Sequence, residues 1–145
     1  MRCAAAALCV LLLGGAIPCA GQGLAGTDSA LARARGAADA WLALVDGSQY
    51  DASWDSAAAL FRAAVTRSDW QTSLMKARAP FGPIRGRTLL SAAYRTELPG
   101  VPPGEYVVMQ YEAEVAGDRK IVETVTPMRD QDGRWRVSGY YIRPQ

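Results

Sequence analysis

The chain has 145 residues, of which 50% are hydrophobic, and carries 16 basic against 14 acidic side chains with no histidine. A formal net charge of +2 gives no electrostatic case for nucleic acid or an anionic membrane surface as partner. The missing imidazole excludes Ser-His-Asp and Cys-His nucleophilic arrangements.

At the N-terminus, Arg2 precedes an uncharged, mostly apolar run from Ala4 to Ile17, followed by Pro18, Cys19, Ala20 and Gly21. This is the order of a secretory signal peptide, assigned to residues 1–20, and it predicts an exported protein, periplasmic or secreted. The apolar run is shorter than the roughly 20 residues that span a bilayer, and no other stretch approaches that length, so no transmembrane segment is expected. Cys3, Cys9 and Cys19 all fall inside the leader, so cleavage leaves a mature chain without thiols and without the usual zinc ligand sets. About 120 remaining residues suffice for one hydrophobic core. A second reading makes Cys19 the acylated first residue of a lipoprotein. Pro18 stands where such signals carry a small residue, which disfavours it.

Residues 21–28 are small and polar and predict a flexible tether, leaving 29–145 as a single domain. Ser29 then suits a helix N-cap, and Leu31, Ala34, Ala38, Trp41, Leu42 and Val45 form the stripe of an amphipathic helix that Gly47 stops. Asp51 can cap a second helix bearing Trp54, Ala58 and Phe61 on one face. The run from Thr66 to Asp69 matches a capping box, opening a third helix with Trp70, Leu74 and Ala77 inward and Pro80, Gly82 and Pro83 at its end.

Beyond Pro83 the hydrophobic period changes from about 3.6 to 2, which predicts strands. Leu90, Ala92, Tyr94 and Leu98 share one face of the first; Val107, Met109, Tyr111, Ala113 and Val115 share one face of the second. Gly117-Asp118 turns the chain into a third strand over about 120–129, and Asp132-Gly133 makes a hairpin turn into a fourth from Trp135 to Ile142. The fold class expected is α+β, with three N-terminal helices packed on one face of a curved antiparallel sheet of about four strands.

That order of elements, closing on Gly133 to Tyr140, resembles the nuclear transport factor 2-like (cystatin-like) cone. Ala40-Trp41-Leu42, Tyr50-Asp51-Ala52-Ser53-Trp54, Leu98-Pro99-Gly100, Gly104 to Val108, Glu123 to Thr126 and Trp135 to Arg143 together resemble the bacterial domain of unknown function 4019 family. The resemblance implies an exported bacterial protein with an NTF2-like cone and no established activity, and cone folds host enzymes, ligand carriers and assembly modules alike.

No cofactor or metal is implied: no phosphate-cradling Gly-rich motif opens a helix, and Asp130-Gln131-Asp132-Gly133 lacks the carboxylates of a calcium loop. Trp54 and Trp70 either line a cone pocket or pack in the core, and core packing is favoured. Arg78, Arg85 and Arg87 cluster around the Pro80–Pro83 loop, where an anion site competes with the favoured solvated or ion-paired surface. Glu123 is out of pattern, sharing its strand face with Ile121 and Val125. It is the best single candidate for ligand contact or acid-base work, with Tyr111 as a second pocket candidate; a buried ion pair or a solvated carboxylate without ligand is favoured. Two function classes follow: a non-catalytic binding or assembly module, which is preferred, and a small pocket enzyme using Glu123. Its partner would be a small molecule or a protein, or a second copy bound through the sheet face as a homodimer.

The exported chain is expected to begin between Gly21 and Leu24 and to contain no thiol, which intact-mass measurement of secreted material checks. An N-terminal Cys19 carrying added acyl mass would establish a lipoprotein instead.

Overall fold

The computed structural model describes residues 22–145, with side chains from Ala25 onward; residues 1–21, including the leader and Cys19, lie outside the described residues. Four helices, α1 (Gln22–Asp46), α2 (Tyr50–Asp55), α3 (Ala59–Ala64) and α4 (Arg67–Arg78), precede four strands. The strands are β1 (Gly86–Arg95), β2 (Tyr106–Val115), β3 (Arg119–Arg129) and β4 (Trp135–Pro144). They form one antiparallel sheet in the order β1-β2-β3-β4, a meander in which each strand pairs with its sequence neighbour.

Helix α1 lies across all four strands. It buries Ala34, Ala38, Trp41, Leu42 and Val45, the stripe expected from their spacing. Its start differs from expectation: residues 22–28, read as a tether, are its first turns, and Ser29 lies within the helix. The segment holds no proline, and once a helix is nucleated each further residue fixed adds one hydrogen bond. At the other end Gln49 N–H donates to Leu44 C=O and Ser48 N–H to Val45 C=O, the two bonds of a Schellman motif. The left-handed residue that this motif requires is Ser48, at φ 57°, one position after the Gly47 expected to supply it.

The single second helix that was expected is two short ones. Between them Ala58 is extended and donates its N–H to Val137 C=O on β4, and Ala57 and Ala58 are fully buried, so docking onto the sheet breaks the helix. Thr66 caps α4 as expected: its hydroxyl oxygen accepts from Asp69 N–H and donates to the Asp69 carboxylate. Trp70 and Leu74 face inward, but Ala77 is exposed and Arg78 takes the next inward place.

In the sheet, β2 alternates as expected, with Val107, Met109, Tyr111, Ala113 and Val115 buried. In β1 a register shift between Leu89 and Ser91 extrudes Leu90, which is 52% exposed, so Arg87 and Leu89 rather than Leu90 face the helices beside Tyr94. The three-residue turn from β2 to β3, Ala116 to Asp118, holds both Gly117 and Asp118 at positive φ, a conformation that glycine adopts freely and aspartate tolerates.

The core centres on aromatics from four elements. Trp41 lies 5.6 Å from Trp70 and 5.3 Å from Tyr140, and Phe61 meets Trp70 edge-on at 5.0 Å. Buried indole N–H groups need acceptors. Ser53, wholly buried between them, supplies both: Trp41 Nε1 donates to its carbonyl at 2.8 Å and Trp70 Nε1 to its hydroxyl at 3.0 Å. Trp135 is only half-buried at the core margin, since it starts an edge strand.

Trp41→Ala is expected to cost about 3–5 kcal/mol, the range for deleting a buried large aromatic, as read by denaturant unfolding, and Trp135→Ala distinctly less.

Candidate functional site

Alternation along β3 places Ile121, Glu123 and Val125 on the helix-covered face, and all three are buried. Glu123 has no exposed surface, and its register partners are Tyr111 on β2 and Ile142 on β4. A carboxylate there needs donors. Arg87, brought inward on β1 by the phase the bulge permits, donates from Nε to Glu123 Oε2 at 2.5 Å and from Nη2 to Oε1 at 3.3 Å. Tyr140, from β4, donates its hydroxyl to Oε1 at 2.5 Å. Burial, and then the Glu123 charge beside it, push the Tyr140 phenol well above its ordinary value, so it stays protonated as a donor.

Arg87 also reaches the end of α1. Its Nη1 donates to Asp46 Oδ2 at 2.7 Å and its Nη2 to Oδ1 at 2.9 Å, while Arg78 Nη2 donates to the same Oδ1 at 2.7 Å. Burial alone would lower the Arg87 pKa, but hydrogen bonds to Asp46 and Glu123 raise it and keep the guanidinium charged. Arg78 Nη1 stands 3.9 Å from Glu123 Oε1, is buried, and has no hydrogen-bond partner among the described residues. Two arginines and two carboxylates thus form one neutral network joining α1, α4, β1 and β3.

Against one side of this network opens a cleft of about 360 Å³ between the ends of α1 and α4 and the loop before β1. Asp46, Ser48 and Arg78 are its polar side chains, and Tyr50, Met75 and Ile84 contribute apolar walls. Phe81 and Ile84 hold that loop by packing on Ala113, Val115 and Ile121. A second groove, about 390 Å³, runs between α1 and β4 past Trp41, Leu44 and Trp135. Its Arg136 is already engaged by Asp130 and Asp132.

The other expected site residues fall elsewhere. Tyr111 is buried and donates its hydroxyl to Asp39 at 3.0 Å, away from the cleft. Trp70 packs in the aromatic core, and Trp54 is half-buried with Nε1 on Val65 C=O and the Arg67 guanidinium 4.8 Å above its ring. Neither tryptophan lines the cleft. Arg85 separates from Arg78 and Arg87, facing exposed Asp118 at 3.7 Å. Asp46, Ser48 and Tyr140 were not singled out from sequence. Arg78 carried a signal, since it continues the Trp70, Leu74 spacing by four. Among the described residues no group of three or more ligating side chains could hold a metal ion, and no helix is long and apolar enough to cross a membrane.

Burial would raise the Asp46 pKa, but hydrogen bonds from Arg87 and Arg78 outweigh it and hold the carboxyl below its ordinary range. A depressed carboxylate contributes stability that is complete above its unfolded pKa, near 4, and disappears as pH falls through the folded value. Asp46→Asn is therefore expected to lower stability at neutral pH and to flatten the loss of stability below about pH 4, as read by urea unfolding across pH.

A family model described as a protein of unknown function, DUF4019, matches residues 37–140. No curated protein matches the chain. The match spans the aromatic core, the ionic network and nearly the whole sheet, and the chain belongs to the DUF4019 family.

Proposed function

We propose that the protein is an exported, non-catalytic binding module of the NTF2-like cone type, which takes its ligand in the cleft between the ends of α1 and α4. Export rests on the leader pattern of residues 1–20. The cone rests on helices followed by a four-stranded meander with α1 laid across it. An assembly role would use the sheet face opposite the helices, where Tyr141 is 64% exposed.

The observation that carries the non-catalytic reading is the enclosure of Glu123. A general acid or base must come within hydrogen-bond reach of substrate, whereas Glu123 is wholly buried with both oxygens engaged by Arg87 and Tyr140. The cleft, by contrast, is open, of the size that small ligands occupy, and combines apolar walls with a few convergent polar groups.

Titration of ¹⁵N-labelled protein with a panel of charged and neutral small metabolites is expected to shift the amides of Asp46, Ser48 and Ile84 with no turnover of any hit. Glu123→Gln is expected to unfold at lower denaturant yet bind the same hits with unchanged affinity. Turnover of a hit that Glu123→Gln abolishes while Ser48→Gly preserves it would overturn the reading in favour of an enzyme.

A further inference from the structure

We propose that this cleft is selective for a cation: a protonated amine on a short aliphatic stem, either a free alkylamine or the lysine side chain of a partner. The inference rests on the cleft being the binding site and adds the chemical class of what enters it.

The first observation is which charge the network presents. The Asp46 side chain is 33% exposed, against 11% for Arg78 and 17% for Arg87. Asp46 is thus the most exposed charge of the network, and Arg78, which also lines the cleft, is the more enclosed. Asp46 Oδ1 accepts from both arginines, but Oδ2 accepts only from Arg87 Nη1, which leaves it one open acceptor position. Arg78 Nη1 is sealed within the protein and turned toward Glu123, so it is not offered to an anion in the cleft.

The second is the backbone field. Two helices of 25 and 12 residues end here, with Val45 and Asp46 from the last turn of α1 and Met75 and Arg78 from that of α4 lining the cleft. Each helix C-terminus carries about half a negative charge. The four side chains cancel, which leaves at the cleft the partial negative charge of the two helix ends, opposed at α4 by the exposed Lys76. Pro80 adds to the negative charge: without an N–H it cannot satisfy the Lys76 carbonyl four residues earlier. Lys76 itself is exposed and is not part of the lining.

The third is Ser48. A side chain at φ 57° costs about 1–2 kcal/mol relative to right-handed backbone, a cost glycine avoids. The two Schellman bonds at the end of α1 hold it in that conformation, and the exposed residue lines the cleft. A hydroxyl oxygen beside a carboxylate gives an ammonium its second acceptor, and Tyr50, Met75 and Ile84 offer the apolar surface for its stem. Met75 is 55% exposed on that wall.

The test compares n-butylammonium, butyrate and 1-butanol by amide shift titration of the purified protein. Butylammonium is expected to move Asp46, Ser48 and Ile84 and to bind about tenfold more tightly than butyrate, with affinity falling as salt rises. Ser48→Gly is expected to weaken butylammonium binding while raising the thermal midpoint, a pairing that a merely structural serine would not produce. Binding of butyrate or butanol to the cleft at equal or higher affinity overturns the cation inference and leaves the cleft as the binding site. Shifts from all three probes confined to other surfaces overturn both. An acetyl-Gly-Lys-Gly-amide peptide binding more tightly than butylammonium assigns the amine to a partner protein, and the reverse order to a free small molecule.

Discussion

A carboxylate taken out of water on the core face of a sheet either finds donors or gives up its charge, because uncompensated burial costs more than a small domain's whole margin of stability. Glu123 finds them in Arg87 and Tyr140, which come from the two edge strands on either side of the central pair. The sheet cannot shift register without separating them. Arg87 then carries the constraint to Asp46, and so to the end of α1, while Arg78 ties in α4. Buried ion pairs contribute little net stability against well-packed apolar residues of equal volume, so the network is better understood as specifying which elements meet than as strengthening the fold.

An aspartate as the last residue of a helix opposes the helix dipole. In α1 that residue is Asp46, with no basic side chain in the same turn. Arg78 and Arg87 supply from other elements what the helix lacks. The arrangement holds as one unit: Arg78 is drawn inward by Asp46, Arg87 by Asp46 and Glu123 together, and Asp46 would oppose the α1 terminus without them.

Where burial follows simple periodicity, the sequence is transparent. The α1 stripe, the β2 alternation, the Thr66 cap and the two tight hairpins are each visible because one local rule decides them. The break at Ala57-Ala58 was not visible, since it arises from docking onto Val137, far along the chain. Nor was the Leu90 bulge: Leu89-Leu90 offers two adjacent apolar residues, and only pairing with β2 decides which faces inward. Glu123 stood out as a carboxylate in apolar phase. Its partners did not, because Arg87 and Tyr140 are recruited across strands. Asp46 and Ser48 read as an ordinary helix end, and the cleft they line exists only once α4 and the loop after it are in place.

The contact between Trp41 on α1 and Tyr140 on β4 joins the first element of the described chain to the last. During synthesis, which proceeds from the N-terminus, the apolar stripe of α1 therefore emerges long before the surface that buries it. The meander closes by local hairpins, strand after strand, but α1 finds its seat only when the final strand is complete. Until then an amphipathic helix carries its tryptophan exposed, which makes premature association the hazard of this topology.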